Sequence, residues 1–110
     1  MKLSIADAVA NLPDVWRSGV LGTVGNANIK LIRMGGEGIA PEVHPDFDEL
    51  LLVLEGELPL VVDDRSVTLR AGEYLFVPKG VWHSVPAGSF GVLLLVDVAE
   101  TGGRVENPPL

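Results

Sequence analysis

From residue 27 onward the sequence is a succession of short apolar runs broken by turn-forming pairs, and this rhythm constrains the fold more than any other feature. The runs cover residues 27–34, 49–54, 58–62, 67–70, 74–77, 81–85 and 92–96. Between them stand Gly35-Gly36, Glu55-Gly56, Asp63-Asp64, Ala71-Gly72, Lys79-Gly80 and Ala87-Gly88. Such pairs supply the positive-φ and Asx-turn conformations that hairpins require. The spacers are too short for crossover helices, which excludes parallel βαβ units and predicts an all-β sandwich or barrel.

The chain before this region reads differently. Ser4, followed three residues later by Asp7, has the form of a capping box, and a short helix is predicted over residues 5–12, stopped by Pro13 and covering one end of the barrel. The expected organisation is an N-terminal helix and extended segment over 1–26, the barrel over 27–100, and an extended or mobile turn-rich tail over 101–110. A length of 110 residues supports one hydrophobic core. Fifteen acidic residues outnumber eight basic ones and no basic cluster occurs, so a phosphate backbone would be repelled and nucleic-acid binding is not expected. Without cysteine there is neither a disulfide framework nor thiolate chemistry, and Met1-Lys2-Leu3-Ser4 lacks the apolar run of a secretory signal. A reducing cytoplasm is the expected location. Five-residue apolar stretches fall far short of the roughly 20 residues of a membrane-spanning helix, so no membrane association is expected.

Two of those stretches, residues 50–54 and 92–96, are apolar at odd and even positions alike. A strand with one wet face alternates, so both faces here need cover. A second copy of the chain is the expected cover, giving a homodimer; the alternative is the N-terminal segment folding back. Leu50, Leu52 and Leu54 are expected to face outward, because Glu49 has the opposite parity and should look inward.

The chain has two histidines, His44 and His83. Glu42 and His44 are two residues apart and so can share one face of a strand, while Glu49 opens the next strand and can reach back to them. Gly36 and Gly56 bracket this segment; around the second histidine, Gly72, Pro78 and Gly80 precede His83. Together the two segments resemble the paired motifs of the cupin superfamily, in which glycine, two alternating histidines, glutamate and glycine form the first motif, and glycine, proline, glycine and histidine the second. Glu42 stands where that pattern has its first histidine, and Ala87 where it ends in asparagine. Trp16, Ile29-Lys30-Leu31, the run from His44 to Glu49, the run from Val53 to Leu58, the run from Asp64 to Leu69, and Gly72-Glu73 through His83 are also similar to a bacterial single-cupin family described as mannose-6-phosphate-isomerase-like. This similarity covers roughly residues 16–97. It implies a double-stranded β-helix, or jelly-roll barrel, with a metal held inside by histidine and glutamate.

Glu42, His44, Glu49 and His83 are accordingly the candidate metal ligands. Two imidazoles and two carboxylates would neutralise a divalent ion and suit Zn, Fe, Mn, Ni or Cu. In the absence of an ion, two carboxylates in a low-dielectric interior would repel, and at least one should hold a proton or turn to solvent. Glu42 could also face the rim or act as a base behind the ligands. Trp16 and Trp82 read as packing residues and Lys79 as a solvated turn residue. No Ser-His-Asp set or phosphate loop is present, and no catalytic residue is assigned. The expected function is divalent-metal binding in the barrel with a role toward a small polar ligand. The alternatives are a metal-dependent enzyme of dioxygenase or sugar-isomerase type, or a metal-free binder of small ligands.

Overall fold

The computed structural model describes residues 2–99, so the tail expected over 101–110 lies outside the described residues. Helix α1 (Ile5–Ala10) begins where the capping pattern places it, with Ser4 Oγ accepting from the Asp7 amide at 3.3 Å. It stops short of residue 12. Asn11 N donates to Ala8 O and Leu12 N to Val9 O, the tightened i→i−3 bonds of a final turn, and Pro13 cannot extend it.

Eight strands follow: β1 (Gly19–Val24), β2 (Ala27–Met34), β3 (Ile39–Glu42), β4 (Glu49–Val62), β5 (Arg65–Arg70), β6 (Tyr74–Val77), β7 (His83–Val85) and β8 (Phe90–Val98). All pair antiparallel, in the order β1-β2-β8-β4-β7-β3, with β5 and β6 also on β4. β4 organises the molecule. Its first residues lie between β6 and β8, and its last ones pair with β5 and β7, so one strand passes from one layer of the jelly roll into the other.

Residues 49–54 and 58–62, read from sequence as two strands around a Glu55-Gly56 turn, are therefore one continuous strand. The register shifts between Val53 and Glu55, and Gly56 takes φ 81°, a bulge that bends β4 without ending it. Opposite it, Gly91 takes φ 100°. A Cβ on Gly56 would strike the Phe90 carbonyl, and one on Gly91 the Glu55 carbonyl, so the close approach of the two backbones needs glycine on both sides. β1, within the segment expected to be merely extended, pairs with β2 from Gly19↔Leu31 to Val24↔Ala27. It is largely exposed and so carries no alternation that a sequence reading could detect.

The core comprises Ile32, Met34, Leu51, Val53, Leu58, Leu60, Leu69, Val77, Leu93 and Leu95. Parity on β4 puts Glu49, Leu51 and Val53 in the interior, while Leu50, Leu52 and Leu54 are half-buried on the other face. There Leu50 sits between Val96 and Phe76, and Leu52 between Leu94 and Tyr74. α1 covers only one end of this outer face, where Ile5, Ala6 and Val9 approach Leu54 and Val92. Tyr74 and Phe76 remain 64% and 61% exposed.

Candidate metal centre

The four candidate ligands come from three strands and one loop, and each is placed by backbone pairing. Glu42, the last residue of β3, lies directly across from His83, the first of β7, and such opposed side chains share a sheet face. His44 lies just beyond β3. Its carbonyl accepts from Gly80 N at 2.9 Å, and Asp48 Oδ1 accepts from Lys79 N at 3.0 Å, so the loop bearing His44 is tied to the Pro78-Lys79-Gly80 turn that precedes His83. Glu49 begins β4 opposite Val77. All four side chains are buried, with relative exposures of 4% to 7%, and one ligand atom from each lies within 4.8 Å of the others. Glu42 is thus inside the barrel and not at its rim.

His83 Nε2 is 3.4 Å from Glu42 Oε1 and 3.5 Å from Glu49 Oε1, and His44 Nε2 is 3.7 Å from Glu42 Oε1 and 3.6 Å from Glu49 Oε2. These separations exceed the roughly 2.7–2.9 Å of a charge-assisted hydrogen bond. Four ligands at about 2.0–2.1 Å around a tetrahedral ion would stand about 3.4 Å apart, so these four separations lie near that spacing, and the full 4.8 Å spread of the donors would contract around a bound ion. His83 Nδ1 can only donate to the Val81 carbonyl at 3.3 Å, so in the neutral ring, the form that binds a metal, Nε2 is the lone-pair nitrogen on the side of the carboxylates. His44 stacks on Phe47 with ring centroids 4.8 Å apart. Phe47 and Asp48, which the sequence shows only as members of the run from His44 to Glu49, hold the His44 loop through this stacking and the Asp48 hydrogen bond.

Without an ion, the histidines and not a protonated Glu49 answer the charge problem. Burial works to raise the Glu49 carboxyl, but His44 and His83 outweigh it and bring the pKa down to about 2. Burial likewise opposes charge on His83, yet Glu42 and Glu49 push its pKa up to about 9. The stability consequences run in opposite directions. The Glu49 contribution is present above the ordinary carboxylate value of 4.5 and is lost as pH falls toward about 2. The His83 contribution is present below 6.5 and is lost as pH rises through about 9. Metal-stripped protein should therefore be most stable between these limits and lose on the order of 3 kcal/mol by pH 10. Urea unfolding in chelator at pH 6 and pH 10 measures this, and equal midpoints would contradict it.

The centre opens into a cavity of about 590 Å³. Its walls include the apolar Ile32, Phe47, Leu51, Leu58, Leu60, Leu93 and Leu95, and the polar Asn28, Lys30 and Asp97. Residues 31–98 match the cupin domain family. The chain is a cupin. Over 41 residues the cupin is 49% identical to the uncharacterized protein YdbB of Bacillus subtilis, 36% of each chain. Over 52 residues it is 42% identical to quercetin 2,3-dioxygenase of the same organism, covering 46% of this chain and 15% of that one. The cupin spans between 14% and 36% of the length of the curated relatives it matches. The crystal structure of a cupin-2 domain containing protein from Shewanella frigidimarina superposes with a TM-score of 0.81 at 26% identity, over 88% of this chain and 94% of that one. Among the described residues, no helix is long and apolar enough to cross a membrane.

Proposed function

We propose that this cupin holds one divalent transition metal through Glu42, His44, Glu49 and His83 and offers it to a small polar ligand that enters the cavity. The observation that carries the reading is the convergence of four buried donor atoms within 4.8 Å. The identity of the ion, among Zn, Fe, Mn, Ni and Cu, is left open by the donor types. When bound, the metal would supply a Lewis acid for an oxygen-bearing ligand and, if redox-active, a site for dioxygen chemistry. Glu42 and Glu49 would offset its charge, the Val81 carbonyl would fix the His83 tautomer, and Phe47 would hold the His44 ring beside a wall that includes Leu51, Leu58, Leu60, Leu93 and Leu95. The mannose-6-phosphate-isomerase-like placement belongs to the same proposal and rests on the runs between residues 16 and 97, as does residence in a reducing cytoplasm, which a cysteine-free chain suits.

Exchanging the one donor that departs from the usual histidine tests the assignment. Glu42→His should keep one ion per chain and shift preference toward nickel and copper over manganese by at least roughly tenfold, since imidazole is the softer donor. Competitive metal titration reads this out; loss of the ion with the fold intact would show a pocket built around the carboxylate, and an unchanged metal preference would remove Glu42 from the ligand set. A dioxygenase role is the second reading, favoured by the similarity to quercetin 2,3-dioxygenase. Oxygen uptake by iron- or manganese-loaded protein with flavonols or catechols distinguishes it from binding alone.

A homodimer through the outer face of β4, β6 and β8 is part of the proposal. Leu50, Leu52, Leu94 and Val96 are flanked there by the exposed Tyr74 and Phe76. Each large apolar side chain left in water forgoes roughly 1.5–3 kcal/mol of burial. Sedimentation at micromolar concentration should give a two-chain particle, and Leu52→Asp should convert it to one chain. A wild-type monomer over the whole concentration range would contradict this.

A further inference from the structure

The cavity contains a second polar group, formed by residues that are far from the metal motifs in sequence. Lys30 Nζ is 2.8 Å from Asp97 Oδ2, and Asn28 Nδ2 donates to the other Asp97 oxygen at 3.4 Å. All three residues line the same cavity as the four metal-ligand candidates. The ion pair is largely buried, at 23% and 14% side-chain exposure. An ion pair removed from water gives little net stability, and apolar residues of similar volume would serve a purely structural wall as well or better.

Two features give the pair a direction. A lysine ammonium has three donors, and among the described residues Lys30 has the one acceptor, Asp97. The ammonium thus has donors to spare. The strand register also brings the pair close to the metal centre. Leu50↔Val96 on β4 and β8, continued by one residue, sets Glu49 beside Asp97, while Asn28↔Asp97 and Lys30↔Leu95 join β2 to the same wall. Two strand spacings, about 10 Å between backbones, separate β2 from β4, and the inward-pointing side chains shorten that span from both sides.

We propose that Lys30, whose ammonium divides its donors between Asp97 and an incoming ligand, receives the carboxylate of a small organic acid whose other oxygen-bearing end lies at the centre formed by Glu42, His44, Glu49 and His83. The proposal rests on the metal reading above and names its ligand class: a short dicarboxylate, or a hydroxy or keto acid of similar length. Glu42 and Glu49 offset a divalent ion, so the centre itself has no surplus positive charge to retain a second anionic group. With an ion bound and both histidines neutral, Lys30 is the cationic side chain lining the cavity among the described residues, and charge-assisted hydrogen bonds to a carboxylate are the strong use of its remaining donors.

The test uses the full chain loaded with Co²⁺, whose visible spectrum reports occupation of its open positions, titrated with acetate, malonate and succinate. Wild-type protein should bind malonate or succinate at least tenfold more tightly than acetate. Lys30→Met should reduce that preference to within twofold while leaving cobalt affinity unchanged. Asp97→Asn, which releases Lys30 from its partner, should tighten the dicarboxylate several-fold, a gain that a merely structural pair would not produce. Equal binding of mono- and dicarboxylates by wild-type protein, a preference that survives Lys30→Met, or weaker dicarboxylate binding in folded Asp97→Asn would each overturn the carboxylate site and leave the metal reading standing. A chain that takes up no cobalt overturns both.

Discussion

Removing both imidazoles by His44→Ala with His83→Ala should lower metal affinity by roughly four orders of magnitude. Structural sites of four donors bind with apparent free energies of about 10–16 kcal/mol, or about 3 kcal/mol per ligand, so losing two costs about 6 kcal/mol. The remaining pair, Glu42 and Glu49, would face each other in a buried cavity without the histidines that now hold Glu49 ionised. In the double variant the Glu49 carboxyl should therefore titrate above its ordinary value, because burial then acts with little opposition. Equilibrium dialysis gives the affinity, and circular dichroism in chelator establishes that the variant is folded. A folded double variant that still binds one ion per chain with wild-type affinity would place the ion elsewhere.

The second large effect is structural. Gly56→Ala should destabilise the protein by about 3–5 kcal/mol, since the added Cβ strikes the Phe90 carbonyl and neither backbone can yield without breaking β4·β8 pairing. Gly72 is the matched control. It also has positive φ, at 84°, but a Cβ there meets nothing within 4 Å, so Gly72→Ala should cost only about 1–2 kcal/mol of conformational strain. Urea denaturation of the two variants separates crowding from strain. Equal destabilisation would mean that the crossing of β4 and β8 relaxes easily.

Gly56 also marks the limit of what was legible in the sequence. Turn pairs flanked by apolar runs announce hairpins, and at Asp63-Asp64 and Ala71-Gly72 the chain does turn. Glu55-Gly56 has the same local chemistry but lies within a strand, because the decisive partner is Gly91, thirty-five residues away, and a close approach of two backbones leaves no local trace. β1 was missed for the opposite reason: an edge strand with little burial has no hydrophobic period. That Glu42, His44, Glu49 and His83 share one interior was legible in part from period-2 alternation and in part from the resemblance carried by the Gly-Pro-Gly-His segment, since both act within a few residues of each side chain. Glu49, Leu51 and Val53 turn inward and Leu50, Leu52 and Leu54 outward, the parity expected from one buried acid. The Lys30–Asp97 pair could not be read in this way, since its members are 67 residues apart and meet only through the register of β2 on β8.

The most direct measurement is an anomalous-scattering map from crystals of protein purified without chelator, with elemental analysis of the same preparation. The account predicts one divalent ion per chain, with its single peak among Glu42, His44, Glu49 and His83 and within about 2.0–2.3 Å of a donor atom from each. A cavity without anomalous density in protein supplied with excess zinc, iron, manganese, nickel and copper in turn, or a peak outside these four residues, would contradict it.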